Sequence, residues 1–267
     1  HALLLADVAT GNRVLPDYNY LIVDEAHHLE AATTNALSFR ATRGDLSRLC
    51  DELGGTSSGI LGRMLTLLKP LAKPADSAAF NQVSQRATDL IFRLDHDFNV
   101  FFNSVETFMA DLREGKPVSN YGQQERILPA TRTLPIWTDV EIAWETTRET
   151  ASLLLNLLAE IHKSLGELGS DLTEDLEDVL GNLGDAYRRL TEAVENIEAL
   201  VAKPHQDIIY WTEVTPNNNQ IALQMAPLHI GSLMEKYLWH EKSSVILTSA
   251  TLTANNEFDY LRNRLNA

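Results

Sequence analysis

Several features that would define other classes of protein are scarce or missing in this 267-residue chain. Its one cysteine, Cys50, excludes an internal disulfide framework and any four-cysteine metal site made by the chain alone. No apolar run approaches the roughly 18 residues that a membrane-spanning helix needs. The chain begins at His1 without a signal-like apolar segment, which predicts a fragment or a processed piece. A cytoplasmic protein without a membrane partner is therefore expected.

Basic residues are also few, with 22 Lys and Arg against 37 Asp and Glu and a formal net charge of −15. Phosphate contacts require Lys and Arg, so a chain of this charge is a poor general binder of polyanions. The imbalance is greatest over residues 135–205, which hold 5 bases and 15 acids. Residues 36–134 hold 12 bases and 11 acids, which makes them the least unfavourable segment for nucleic acid.

A phosphate-binding loop of the form Gly-x-x-x-x-Gly-Lys-Ser/Thr does not occur in the sequence. The nearest Gly-Lys pair, Gly115-Lys116, precedes Pro117 and lacks both the first glycine and the hydroxyl residue. The chain by itself is therefore not expected to cradle the phosphates of a nucleotide.

Two short apolar runs, by contrast, end in residues that can do chemistry. Residues 20–24 read as a strand that ends in Asp24-Glu25-Ala26-His27, and a helix is expected from about residue 25. Residues 245–248 read as a second strand that leads into Thr248-Ser249-Ala250-Thr251. Ligands of parallel sheets bind beyond the carboxyl ends of the strands. If the two strands are neighbours, both polar tips face one crevice.

The chemistry of these residue types suits a nucleotide site. Asp24 would hold a magnesium ion through water, because magnesium keeps much of its hydration shell. Glu25 would act as the general base that polarises an attacking water. His27 lies on the first helical turn, so a coupling role suits it better than catalysis, while Ser249 and Thr251 could sense the nucleotide. The tetrapeptide alone is a weak signal, because acidic residues are favoured at helix N-termini anyway.

The middle of the chain has the periodicity of long helices. Three apolar seams at helical spacing predict helices over residues 91–112, 154–168 and 172–197, with their seam residues packed in a core. Asp171 and Glu174 look like an N-cap pair after Gly169 and Ser170, which predicts that the last two helices form an antiparallel hairpin. Residues 121–133 have no seam and are expected to include an extended segment.

After Pro204 the pattern changes again. Residues 208–211 and 221–225 flank a turn-prone stretch and predict a β-hairpin, followed by helices over residues 230–239 and 256–265. The predicted fold class is α/β with a large α-helical insertion. Residues 1–35 and 205–267 would complete one partial parallel-sheet domain, and residues 36–204 would form the inserted helical domain.

With these pieces in order, the chain resembles DinG/XPD-type superfamily 2 DNA helicases. The resemblance rests on the ten residues from Leu21 to Glu30 and the eight from Val245 to Leu252. The opening His1-Ala2-Leu3-Leu4-Leu5 also resembles the family's segment just before the Walker B strand, which carries motif II. In that family a helical insertion, the arch domain, separates motif II from motif III and helps to form a pore around single-stranded DNA.

The resemblance implies ATP-dependent unwinding with 5′-to-3′ polarity, using ATP and Mg²⁺ and acting on single-stranded or forked DNA. Asp24 and Glu25 would be the magnesium and water-activating residues of motif II, and Thr248, Ser249 and Thr251 the coupling residues of motif III. The phosphate loop and the second motor domain of the family are not in this chain. The iron–sulfur cysteines of many relatives would lie before His1. The chain is therefore expected to be an internal, by itself inactive, piece of a helicase.

Two alternatives remain open. One is a nuclease-coupled relative of the same family, and the other is a non-enzymatic helical interaction module with a vestigial nucleotide fold. DNA contact by the insertion is a further hypothesis, because its least acidic segment offers six candidate bases. They are Arg40, Arg43, Arg48, Arg63, Lys69 and Lys73.

Overall fold

The computed structural model describes residues 1–9, 14–69, 74–114, 116–166, 173–216, 220–253 and 257–267. Gly115, Gly169, Ser170, Asp171, Lys73 and the predicted turn at residues 217–219 lie outside these ranges. In the described ranges, no helix is long and apolar enough to cross a membrane.

Chain contacts divide the molecule into two compact units, each made of separate segments. The first comprises residues 1–39, 205–210 and 224–267, and the second comprises residues 40–204 and 211–223. The sequence-based boundaries at residues 35 and 204 lie close to these divisions. Residues 211–223 group with the helical unit, because their strands pair with a strand of that unit. An α/β fold with a large helical insertion is confirmed.

The first unit is a small α/β arrangement. Its elements are α1 (Ala2–Ala9), β1 (Tyr20–Val23), a 3₁₀ turn (Ala26–His28), α2 (Leu29–Ala36), α9 (Gly231–Met234), a π turn (Glu235–Trp239), β6 (Ser244–Leu247) and α10 (Asp259–Leu265). The two strands pair in parallel, with Val23 opposite Leu247. Behind them Leu29, Ile230 and Leu265 form part of a buried apolar cluster, which fixes the strands from one side.

The second unit is dominated by long helices. Its helices are α3 (Arg43–Leu53), α4 (Gly59–Leu68), α5 (Pro74–Leu112), α6 (Pro129–Arg132), α7 (Trp137–Gly166) and α8 (Glu174–Val201). The three predicted seams lie within α5, α7 and α8, and their described members are buried, apart from Leu112, which is 37% exposed at the last residue of α5. Leu168 and Leu172 lie outside the described residues.

Aromatic rings fill the interface between α5 and α7. Phe108 packs edge-on against Trp137 with ring centroids 4.9 Å apart, and Phe101 packs against Trp144 at 5.2 Å. The indole of Trp144 also donates to Glu198 of α8 at 2.7 Å, and that of Trp137 donates to the Val201 carbonyl. These contacts pair the start of α7 with the end of α8, so the predicted antiparallel hairpin is confirmed.

A four-stranded sheet of order β2-β5-β4-β3 completes the fold, with β2 (Phe39–Thr42), β3 (Gln123–Arg126), β4 (Ile208–Val214) and β5 (Ile221–Pro227). The neighbouring positions of β4 and β5 confirm the predicted hairpin, and β3 confirms the extended segment expected between residues 121 and 133. Short helices α3 and α4 and strand β2 were not predicted from the pattern.

Candidate active site at the ends of two parallel strands

The candidate site lies where β1 and β6 end side by side. Backbone hydrogen bonds between the two segments continue just past the strands. The Thr248 N–H donates to the Val23 carbonyl at 2.9 Å, and the Ala26 N–H donates to the Thr248 carbonyl at 3.0 Å. This continuation of the parallel ladder brings the two predicted polar tips together, although 224 residues separate Asp24 from Thr248 in sequence.

Asp24 is tied to the second tip through one carboxylate oxygen. Its Oδ1 accepts the Thr248 hydroxyl at 3.2 Å and the backbone N–H of Glu25 at 2.9 Å. Both of its side-chain contacts with described residues use Oδ1. The carboxyl group is solvent-exposed, and the Asp24 carbonyl also contacts Nε2 of His1 at 2.9 Å.

Glu25 has an unusual backbone for a residue with a side chain. Its φ of 49° and ψ of 42° lie in the left-handed region, which costs L-residues roughly 1–2 kcal/mol. The turn separates strand β1 from the 3₁₀ turn that follows, and the Glu25 carbonyl accepts the His28 N–H at 3.0 Å. Such strained residues cluster at functional sites, because the surrounding structure holds them in place.

The side chains of Glu25, His27 and Ser249 form a closed hydrogen-bonded triangle. The Ser249 hydroxyl donates to Glu25 Oε2 at 3.1 Å, and Ser249 Oγ is 2.7 Å from His27 Nδ1. His27 Nδ1 is in turn 3.2 Å from Glu25 Oε2. Since the single hydroxyl proton of Ser249 goes to Glu25, the bond with His27 requires the proton to sit on Nδ1.

The remaining motif residue acts through its backbone. The Thr251 N–H donates to Ser249 Oγ at 3.3 Å, which adds a second donor to that hydroxyl oxygen. The imidazole of His27 lies against that of His28, with ring centroids 3.8 Å apart and the ring planes tilted by 44°. Through Glu25 and Ser249, His27 contacts the ends of both strands. The sequence pattern had not indicated its contact with Ser249.

Among the described residues, no group of three or more His, Cys, Asp and Glu side chains is arranged as a metal cage. A magnesium ion bound mostly by water and phosphate does not require one, because one or two carboxylates complete its shell. Asp24 is exposed, and its side-chain bonds to the described residues use Oδ1 alone, so its carboxylate has the chemistry to fit such an ion.

The six candidate DNA-binding residues lie away from this cluster in the chain, and those that are described belong to the helical unit. Arg43 Nη2 donates to Asn103 at 2.7 Å and lies 3.8 Å from Glu106, while Arg48 pairs with Asp45 at 2.5 Å. Arg40, Arg63 and Lys69 are solvent-exposed, and Lys73 lies outside the described residues.

Comparison with known proteins gives two relatives that match nearly the whole chain. The protein named "3'-5' exonuclease DinG" of Bacillus subtilis is 25% identical over 275 residues, covering 99% of this chain and 28% of its own length. The protein named "ATP-dependent DNA helicase DinG" of Photobacterium profundum is 26% identical over 275 residues, covering 97% of this chain and 36% of its own length. No family model matches. The match to these two relatives confirms the resemblance drawn from the two motifs: nearly the whole chain is similar to proteins named DinG, and it spans about a third of the length of the curated relatives it matches.

Proposed function

We propose that this chain is the part of an ATP-dependent DNA helicase that carries motif II, the arch domain and motif III of the first motor domain. One observation carries the proposal, namely the bonding of Glu25 and His27 at the end of β1 to Ser249 at the end of β6. A motor needs a link of this kind, because hydrolysis at one strand tip has to be passed on to elements that hold the nucleic acid.

ATP and Mg²⁺ are the cofactors of the proposed parent enzyme. Asp24 would hold the magnesium through water, and the ion would supply charge neutralisation at the phosphates. Thr248, bonded to Asp24 Oδ1, fixes the orientation of that carboxylate. Iron–sulfur ligands are not supplied by this chain, which has only the buried Cys50.

Glu25 is the proposed general base for the attacking water. The bond from Ser249 orients its Oε2, and the position of His27 Nδ1 places a second polar group against the same oxygen. A change in the bonding of Ser249 would therefore alter both the base and His27. This arrangement suits the proposed coupling role of His27, Ser249 and Thr251.

DNA-stimulated ATP turnover by the full-length parent tests the proposal. Glu25→Gln should lower turnover by about 10²–10⁴-fold while nucleotide binding is retained, because the amide cannot accept the proton. Glu241→Gln, at another exposed position of the same unit, is the matched control and should leave turnover unchanged. Ser249→Ala should reduce stimulation by DNA more than it reduces basal turnover. Equal and negligible turnover in wild type and both Glu variants would favour the interaction-module alternative.

The chain by itself is proposed to be inactive, since no phosphate-binding loop occurs in its sequence. Purified chain should show no steady hydrolysis of ATP and no unwinding of forked DNA. Turnover that disappears in the Glu25→Ala variant would contradict this proposal, because it would mean that residues of this chain bind the phosphates.

Single-stranded or forked DNA is the proposed partner, translocated with 5′-to-3′ polarity. Six basic residues of the chain are proposed to contact the DNA. They are Arg40, Arg43, Arg48, Arg63, Lys69 and Lys73. Replacing all six with Gln should weaken DNA binding by the parent and reduce the dependence of affinity on salt. An unchanged affinity and salt slope would remove these residues from the proposed interface.

A nuclease function is the second candidate, and the name of the Bacillus subtilis relative, 3'-5' exonuclease DinG, favours it. The described residues place one pair of adjacent carboxylates, Asp24 and Glu25, at the candidate site, which suits nucleotide hydrolysis. Incubation of the chain with end-labelled single strands and Mg²⁺ or Mn²⁺ separates the two functions. We expect no cleavage; cleavage that is lost in the Asp24→Asn variant would favour the nuclease.

A further inference from the structure

A groove of about 300 Å³ lies between α5 and α7 on the helical unit, far from the candidate active site in sequence. Its apolar lining includes Val100, Ile142 and Ala143. Val100 is 44% exposed and Ile142 is 62% exposed, so two branched apolar side chains stand open to solvent within one helix–helix groove. Clustered exposure of this kind marks interaction sites more often than scattered exposed residues do.

The groove also contains a carboxylate that is almost completely buried. Asp97 retains only 8% exposure and lines the groove. Its Oδ2 accepts the Thr150 hydroxyl at 2.7 Å and lies 3.7 Å from Nε of Arg93. Within the described part of the chain, both of these side-chain contacts of Asp97 use Oδ2, and Arg93 offsets part of its charge.

A second carboxylate lies at the opening. Asp139, in the first turn of α7, is exposed and lines the same groove. It belongs to the most acidic part of the chain, residues 135–205. Two carboxylates lining one groove favour a cationic group over phosphate, so a basic ligand suits this groove better than nucleic acid.

We propose that the groove between α5 and α7 binds a basic amphipathic helix of a partner protein, with a Lys or Arg side chain directed at Asp97. A long cationic side chain meets both features of the groove, because its aliphatic stem packs on Val100 and Ile142 while its charged end reaches a carboxylate. Helix-in-groove recognition uses apolar anchors at helical spacing in the same way. The proposal does not depend on the proposed motor function.

The test uses the 267-residue chain and a fluorescein-labelled helical peptide of about 15 residues, with Leu on one face and Lys on the other. Binding is followed by fluorescence anisotropy at physiological salt. A peptide with Gln in place of every Lys should bind at least about tenfold more weakly, because it supplies no cation for Asp97 and Asp139.

Matched variants separate groove binding from general attraction to an acidic protein. Asp139→Asn and Ile142→Ser should each weaken peptide binding at least about fivefold. Asp175→Asn removes a first-turn carboxylate from α8, and Leu3→Ser removes an apolar side chain that is 58% exposed; both should change affinity less than about twofold. Asp97→Asn, which keeps an acceptor for Thr150, should weaken binding about tenfold.

Three results would overturn the proposal. The first is no peptide binding, and the second is an equal loss in the Asp139 and Asp175 variants, which would mean that only net charge matters. The third is competition by single-stranded DNA that disappears in the Ile142→Ser variant, which would make the groove a nucleic-acid site. Neither Asp139 nor Ile142 belongs to the buried core, so these two variants test the groove even if Asp97→Asn lowers stability.

Discussion

At the scale of single residues, Glu25 combines a functional side chain with an unfavourable backbone conformation. Its φ of 49° is one that glycine adopts without steric cost. We therefore expect Glu25→Gly to be about 1 kcal/mol more stable to unfolding than Glu25→Ala, since both lack the carboxylate and only Ala keeps the left-handed strain. Urea unfolding of the two variants measures this difference in the free energy of unfolding. In the full-length parent enzyme, both substitutions should abolish ATP turnover. A glycine variant no more stable than the alanine variant would mean that the turn is not strained.

Cys50 illustrates a residue whose environment suppresses its reactivity. It is 3% exposed, and burial raises the pKa of its thiol to about 12, with Asp95 and Asp51 adding to the effect. The thiolate is the reactive form, so the native protein should resist a thiol reagent at pH 8 and react fully after unfolding in urea. Because the pKa of the thiol is higher in the folded state, its contribution to the free energy of unfolding is fully present below pH 9. That contribution is lost as pH rises from about 9 toward 12, where the unfolded chain releases the proton first. Rapid labelling of native protein at pH 8 would contradict this description.

At the scale of secondary structure, Arg132 closes the C-terminal end of α8. Its guanidinium donates to the Leu200 carbonyl at 2.6 Å and to the carbonyls of Val201 and Ile127 at 3.3 and 3.4 Å. A cation is favoured there by the helix dipole, and Arg132 supplies donors to carbonyls at the helix end, where the Trp137 indole also donates to Val201. Arg132→Met keeps an apolar stem but removes these bonds, which should cost about 1.5–3 kcal/mol.

Arg188, which lies on α8 itself, provides the comparison for Arg132. Its guanidinium meets Asp185 at 3.3 Å with both side chains mostly exposed, so Arg188→Met should cost less than about 1 kcal/mol. Thermal and urea unfolding of the two variants give the difference. Equal destabilisation would show that the bonds to the end of α8 contribute no more than a surface ion pair.

The helices that were predictable from sequence are those whose buried face repeats over many turns. The seam of α8 predicted its helix even though Gly181 and Gly184 lower helix propensity by about 1 kcal/mol each, because a continuous buried face outweighs that cost. The pattern gave no signal for α3, whose 11 residues begin at a capping box between Thr42 and Asp45. A helix of that length is defined by its cap and its tertiary contacts more than by periodicity.

At the scale of the whole molecule, the two polar strand ends of the candidate site were predictable from the sequence, but the hydrogen bonds between them were not. Strand tips at Asp24 and Ser249 follow from apolar runs that end in polar residues. Their direct link does not, because the bond between His27 and Ser249 joins residues 222 positions apart and depends on β1 and β6 being neighbours. The left-handed turn at Glu25 has no sequence signal either, since glutamate is not a residue that favours it.

The two units should also differ in how readily they open. Strands β1 and β6 form a two-stranded sheet whose Tyr20, Ile22 and Ile246 are 77%, 68% and 54% exposed, whereas parallel sheets usually have both faces covered. The middle of α7 instead packs on α5 and α8 with Leu154 and Leu158 fully buried. Amides open through local unfolding at a free energy set by such burial. Hydrogen exchange of the 267-residue chain should therefore be at least about a hundredfold faster in β1 and β6 than in the middle of α7, a difference of roughly 2.7 kcal/mol. Equal protection in the two regions would mean that this small sheet unfolds only together with the helical unit, and that the cluster of Glu25, His27 and Ser249 is held as firmly as the helical core.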